Sequence, residues 1–396
     1  MLFDFEESLK KLKTYCEKEN FKGWDPYDGL NSKIFQATPI KNWDIARLIW
    51  IQGFKRSPIN FRKLFLVEKQ YNSKGIALLI MGYCKLYRAD SEVSNSFGPK
   101  DELLNTIHKL TKILISMKVS GYSGACWGYN FDWQARRLFL FKKNTPTVVA
   151  TAFCVEALIE SYKITNDRAV LDIALSASEF VMKDLFKTSY SDGHIFSYSI
   201  KNGNNTVINA SLLGAKILSY SYKYNHNKDH LNSAKKAVLA ACSLQEFDGS
   251  WVYGLLPIQS WKDSFHTGFN LDAINTYQQN TGDYSFQTNI IKGWDFYIKN
   301  FFEKNGIPKY YHNKRYPIDI HSPAQLIITA CKLGIFKSQQ SILDKTLNWT
   351  IKNMQSKDGY FYYQKKKFIT SKISYMRWSN AFMFYAISYY FLESQN

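Results

Sequence analysis

The chain has 396 residues, 45% of them apolar and 21% charged, a composition that suits a globular protein with a large buried core and excludes a disordered one. Its 51 Lys and Arg against 33 Asp and Glu give a formal net charge of +18, which attracts a polyanion or an anionic membrane surface. No zinc-ligand spacing and no long arginine-rich run accompanies that charge, so a nucleic-acid partner is not expected, and an acidic glycan fits the charge as well as DNA does.

In chain order, MLFDFEESLKKLKTYCEKEN (1–20) reads as an amphipathic helix and not as a secretory signal, because acids interrupt any apolar core. No stretch reaches the length of a membrane span, so the expectation is a cytoplasmic protein whose basic surface allows peripheral contact with the inner face of a membrane. Residues 1–70 form an N-terminal helix and loop region expected to pack on a single domain spanning 1–396. Within it, Trp24, Asp25, Tyr27 and Asp28 make a polar-aromatic loop that closes over one face, although Pro26 and Gly29 also suit a plain turn. NSKGIALLIMGYCKLYR (72–88) supplies a first apolar helix. Beyond it four turns recur at steps of about 55 residues, at Asp192-Gly193, Asp248-Gly249, Asn305-Gly306 and Asp358-Gly359, with an earlier relative in GYSGACWGYNFDW (121–133).

Each turn follows an amphipathic helix and leads through a loop to a more apolar one with small residues: 147–163, 206–223, 265–279, 318–333 and 375–391. Helix, glycine turn and helix, repeated, is the pattern of stacked α-hairpins, and about six of them close economically into an all-α, (α/α) toroid. The six cysteines, 16, 84, 126, 154, 242 and 331, are scattered without a close pair and suit small core positions.

The stretch Gln245-Glu-Phe-Asp248-Gly249-Ser250-Trp251 resembles the Gln-x-x-Asp-Gly-Ser-Trp turn of terpene cyclases and prenyltransferase-like toroids, and Gln355-Ser-Lys-Asp358-Gly359 is a weaker copy. That resemblance implies architecture more than chemistry, since the acid motifs that serve isoprenoid diphosphates are missing. GWDPYDGLNS (23–32), GACWGYNFDWQAR (124–136), SWKDSFHTGFNL (260–271), RYPIDIHSPAQ (315–325) and YMRWSNAFMFYA (375–386) resemble proteins of bacterial capsule and surface-polysaccharide gene clusters. The implied architecture is similar to the toroids of glucuronyl C5-epimerases and polysaccharide lyases, which implies glycan chemistry without fixing the reaction.

In a toroid, the loops entering the inner helices line a central mouth. Thr147, Asn209, His266, His321 and Arg377 fall near the starts of inner helices, with His266 in register with His321. Asp263 stands three residues before His266, and Asp319 two before His321. A carboxylate beside a histidine fixes its tautomer and raises its pKa for acid–base work, while the plainer reading makes both aspartates helix caps. The catalytic candidates are therefore His266, His321, Asp263, Asp319 and Tyr375. The binding candidates are Trp127, Tyr129, Trp133, Trp261 and Trp378 as sugar platforms, with Asp132, Arg136, Asn209 and Arg377 gripping hydroxyls or a carboxylate. The aromatic share of 16% fits such a groove, or codon bias alone.

No metal is expected, since neither a His-x-x-x-His pair nor a cysteine cluster is present. No cofactor is expected either, given the absence of a phosphate-binding glycine loop. The reading is a carbohydrate-active enzyme on an anionic, uronic-acid-containing glycan, free or lipid-linked, acting by epimerisation, β-elimination or hydrolysis. The alternatives are a terpene cyclase-like enzyme and a non-catalytic glycan-binding assembly factor.

Overall fold

The structure of the protein, a computed structural model, describes residues 2–89, 91–135, 140–201 and 203–395. Its helices in chain order are α1 (Leu2–Lys18), α2 (Lys33–Gln36), α3 (Asp44–Arg56), α4 (Ser73–Arg88), α5 (Ser91–Ser96), α6 (Lys100–Ser116), α7 (Val148–Thr165), α8 (Arg168–Glu179), α9 (Ile208–Asn225), α10 (Lys228–Ser243), α11 (Ser264–Thr281), α12 (Gln287–Phe301), α13 (His321–Lys332), α14 (Phe336–Met354) and α15 (Phe382–Glu393). Helices α4, α7, α9, α11, α13 and α15 touch one another in that order, and α15 returns to α4, so they close an inner ring. They are buried almost all round; in α7 every residue from Val148 to Ser161 is buried.

The outer helices each bury one stripe. In α12 it is Ile290, Gly293, Trp294, Tyr297 and Phe301, at spacings of three and four. Helices α6, α8, α10, α12 and α14 back α4, α7, α9, α11 and α13 in turn. The partner of α15 is α1, which buries Phe5, Leu9, Leu12 and Cys16 and sets the Phe5 ring 5.5 Å from that of Tyr390. The fold is the expected (α/α) toroid, with its sixth hairpin assembled from the two ends of the chain.

The recurrent turns are what lock neighbouring hairpins together. Gly249, Gly306 and Gly359 have φ of 87°, 87° and 96°, a left-handed conformation that favours glycine. A Cβ on them would lie 2.2 Å from the Lys292 carbonyl oxygen of α12, 2.5 Å from the Lys345 carbonyl carbon of α14 and 2.3 Å from the Lys11 carbonyl oxygen of α1. The Gln245 amide donates to the carbonyls of Gly249 and Asn289, each at 2.9 Å, and Gln355 repeats this with Gly359 at 2.9 Å and Ser8 at 3.0 Å. Each turn thus rests on the backbone of the next outer helix.

Short strands in the loops depart from a purely helical expectation. They are β1 (Trp133–Gln134) with β2 (Leu140–Phe141), β3 (Lys187–Tyr190) with β4 (Gly193–Phe196), and β5 (Ile318–Asp319) with β6 (Tyr362–Lys365) and β7 (Thr370–Ser374), all antiparallel. Single bridges Thr147–Ser199, Val207–Gly254 and Asp263–Tyr311, and the β5–β6 pair Asp319–Gln364, continue this pairing around the mouth. Among the described residues no helix is long and apolar enough to cross a membrane.

Candidate functional site

The side chain just before an inner helix satisfies its first amide groups. Thr147 accepts from the Ala150 N–H at 3.1 Å, Asp263 from that of His266 at 3.0 Å, and Asp319 from that of His321 at 3.0 Å. The bridges around the mouth place Thr147, Val207, Asp263 and Asp319 at equivalent positions. Two residues further on stand Val149, Asn209, Phe265 and His321. The expected register between the histidines is therefore off by one: His321 occupies the place of Phe265, and His266 lies one residue beyond.

That single step separates their environments. At His266, Nδ1 lies 2.7 Å from Asp263 Oδ2, which also accepts the Trp261 indole N–H at 2.9 Å. Asp263 is fully enclosed, whereas 22% of the His266 side chain remains exposed. The Tyr253 ring stacks on Trp261 at 4.5 Å and lies 4.6 Å from His266. A carboxylate on Nδ1 selects the tautomer protonated there and leaves Nε2 as the edge that exchanges protons.

His321 has no such arrangement. Its ring is packed between Phe265 at 4.7 Å, Trp378 at 4.7 Å and Phe382 at 3.7 Å, and neither ring nitrogen has a hydrogen-bond partner. Burial, helped by Lys74 and Arg377, holds its pKa well below the ordinary histidine value, so the ring is neutral. Asp319 does not orient that ring, contrary to expectation. Its side chain is spent on the His321 backbone N–H, the Trp378 indole at 2.8 Å and the Gln364 amide at 3.2 Å. Burial pushes its carboxyl up to about 6 despite those hydrogen bonds.

Arg377 and Trp378 lie in a wide π-helical turn, Met376–Ala381, marked by the Asn380 N–H donating to the Tyr375 carbonyl. Arg377 already holds a carboxylate: it donates to Asp25 through Nε at 2.5 Å and Nη2 at 2.8 Å. Arg62 fastens the same N-terminal loop through Asp28 Oδ1 at 2.6 Å and the Asp25 carbonyl at 2.7 Å. The expected free cation is thus an anchor for the loop at 24–29. Tyr375 is likewise sealed beneath the Arg62 guanidinium, 4.7 Å from its ring, and burial raises its phenol, which removes it from proton transfer at the mouth.

Trp127 belongs to the scaffold. It is fully buried, and its indole donates to the Leu114 carbonyl at the end of α6 as Trp251 donates to Ala241 of α10. Tyr129 stacks on Phe131 at 5.4 Å and Trp133 on Phe141 at 5.0 Å, both half-buried at the mouth. Asp132 accepts the Lys143 N–H at 2.7 Å and so ties its own hairpin. Asn209 is buried with its side-chain oxygen unpartnered, and Arg136 lies outside the described residues.

Other residues complete the mouth, and of these only Tyr27 was singled out in the sequence, in the loop expected to close over one face. Tyr27 contacts Trp133 and Trp378, and its hydroxyl receives Lys55 Nζ at 2.6 Å. Tyr198, Tyr253 and Tyr310 are half-buried around it. Deeper, the Lys74 ammonium sits 3.9 Å from the Phe153 ring, 4.8 Å from Phe269 and 5.0 Å from Phe382, and burial holds its pKa well below that of an ordinary lysine. A lysine in the apolar run at 72–88 was the available signal for it. The result is an aromatic cluster with one half-buried, carboxylate-backed imidazole. Two surface clefts lie elsewhere, one between the loop before α4 and the end of α6, the other where Arg168 pairs with Asp172 and His230 with Glu179.

No protein-family model matches the chain, and no curated protein matches it. Solved structures do. A family 76 α-mannanase from Bacteroides thetaiotaomicron is similar over 83% of this chain and 88% of its own, at 12% identity and a TM-score of 0.62. An unsaturated glucuronyl hydrolase specific for heparin is similar over 99% and 98%, at 12% identity and a TM-score of 0.61. A cellobiose 2-epimerase from Bacillus thermoamylovorans is similar over 82% and 88%, at 13% identity and a TM-score of 0.59. At such identities the likeness establishes the architecture, and that architecture is the α/α toroid.

Proposed function

We propose that the protein is a carbohydrate-active enzyme that moves a proton on a sugar bound at the mouth of the toroid, with His266 as the acid–base group. The observation that carries this reading is the 2.7 Å contact between the enclosed Asp263 carboxylate and His266, the partner that stays partly exposed. Asp263 holds the Nδ1 proton and so orients Nε2 to accept and return one on the substrate. Tyr253, Trp261, Tyr129 and Trp133 offer the flat apolar faces on which pyranose rings stack. The similar structures, named as a mannanase, a glucuronyl hydrolase and an epimerase, support a saccharide as the substrate class.

Proton transfer next to a carbonyl or carboxylate, as in epimerisation or β-elimination, is better supported than hydrolysis. Hydrolysis by a carboxylate pair needs two acids that both reach the bond, whereas Asp263 and Asp319 are enclosed and committed to other partners. The net charge of +18 and Lys55 beside Tyr27 favour an anionic glycan, such as a uronic-acid-containing surface polysaccharide.

The test is turnover of uronic-acid oligosaccharides in D2O by the wild type and by His266→Ala. The expected result for the wild type is carbon-bound deuterium if the reaction is epimerisation, or an ultraviolet-absorbing unsaturated uronate if it is β-elimination, and a fall of about 100-fold or more in the variant, with saccharide binding retained. Wild-type turnover by His266→Ala would remove the histidine from the mechanism. A product with neither carbon-bound deuterium nor a new carbon–carbon double bond would point to hydrolysis instead.

A further inference from the structure

The segment between α1 and α4 presents an apolar surface that no other described residue covers. Trp43, Ile45 and Ile49 are 65%, 74% and 66% exposed. The contrast is visible within α3: Ile51 is buried against Leu30 and Phe35, while Ile45 and Ile49, one turn apart, face outward. The β6–β7 hairpin reaches the same place, since Lys366 Nζ donates to the carbonyl of Arg56, the last residue of α3, at 3.0 Å. Its tip carries Phe368, 90% exposed. Of the seventeen large apolar side chains exposed among the described residues, ten lie in 34–66 or at 368–369. Such concentration on one face marks an interaction surface.

The charge there is one-sided. Residues 33–69 hold eight Lys and Arg, seven of them apart from the buried Arg62, against two Asp and Glu, and Lys365, Lys366 and Lys367 follow at the hairpin tip. Protein interfaces are depleted in lysine. Protruding aliphatic and aromatic side chains among lysines are instead the composition of a surface that seats on anionic lipid, where the apolar groups enter the acyl boundary and the ammonium groups meet phosphate. We propose that residues 33–69 together with the hairpin tip at 365–369 form a docking surface for an anionic bilayer. Lys55, at the end of α3, touches Tyr27 of the mouth, so docking sets the mouth at headgroup level, where a lipid-linked saccharide is held. The docking does not depend on which reaction occurs there.

The experiment is co-sedimentation of the full chain with vesicles of phosphatidylcholine alone and of phosphatidylcholine with about one third phosphatidylglycerol. Binding is expected to the anionic vesicles only, falling as salt rises and screens the lysines. The combined variant Ile45→Ser, Ile49→Ser, Phe368→Ser and the variant Lys365→Glu, Lys366→Glu, Lys367→Glu are each expected to weaken it about tenfold or more. Circular dichroism checks that each is folded, and Phe368→Ser alone, at an exposed tip, stands in for a variant that is not. Absence of binding to anionic vesicles overturns the proposal, as does binding that these substitutions leave unchanged. A dimer in ultracentrifugation that the serine variant dissolves also overturns it, by making this face a contact between copies.

Discussion

Two aspartates at equivalent positions of neighbouring repeats have opposite surroundings, and the difference can be measured. Asp263 backs a histidine that reaches solvent, whereas Asp319 is enclosed with no ion pair among the described residues, and burial pushes its carboxyl up to about 6. Since the unfolded value is about 3.9, the native state holds the Asp319 proton more tightly. The stability contributed by this group therefore declines as pH rises from about 4 to about 6 and stays lower above that, by about 3 kcal/mol. Asp319→Asn keeps an acceptor for the His321 N–H and the Trp378 indole and carries no charge. The expectation is that the variant matches the wild type near pH 4 and exceeds it above pH 6, read from urea unfolding across that range. A variant that is less stable at pH 7.5 would show that the ionised carboxylate is what the site is built around.

At the scale of elements, the repeated turns test how the hairpins are joined. Gly249→Ala combines a left-handed φ with a 2.2 Å clash against the α12 backbone, so it should cost about 3 kcal/mol or more. Gly282→Ala, at the end of α11 with φ of 74° and nothing within 4 Å, should cost about 1 kcal/mol. Equal losses in urea unfolding would mean that the turn's backbone conformation matters and its contact with the next helix does not. These turns were legible in the sequence because Asp-Gly pairs and the Gln-x-x-Asp-Gly-Ser-Trp string are local. The inner helices were legible because each is more apolar than the helix before its turn and carries small residues. The partner of Arg377 was not, since Asp25 lies 352 residues away and only the closed ring brings the two together. Trp127 was misread for a related reason: an aromatic beside glycines suggests a platform, and only its bond to the Leu114 carbonyl shows the same role as Trp251. His321 was placed at the mouth by its spacing, but the cap geometry turns it toward the axis.

For the whole molecule, closure of the ring rests on α1. Its stripe covers α15 and α14, and its Ser8 and Lys11 receive the Gln355 and Gly359 turn. A chain without residues 1–18 would leave that wall open and expose the apolar sides of α14 and α15. The expected outcome is loss of cooperative unfolding and binding of a hydrophobic dye at neutral pH, measured beside the intact chain. A truncated chain that melts sharply near the wild-type temperature would show that the remaining hairpins stand without the seal.

The pairing of α1 with α15 also bears on how the protein is made. Ser8 and Gln355 are 347 residues apart, so α1 leaves the ribosome long before its partner exists, with Phe5, Leu9 and Leu12 unsatisfied throughout. The intervening hairpins can stack as they emerge, because each contacts mainly its neighbours. The last event is a contact of very high sequence separation, whose burden is on rate more than on equilibrium. Closure of the ring therefore waits on α15, made long after α1, and until the two meet the nascent toroid is a strip with two adhesive edges.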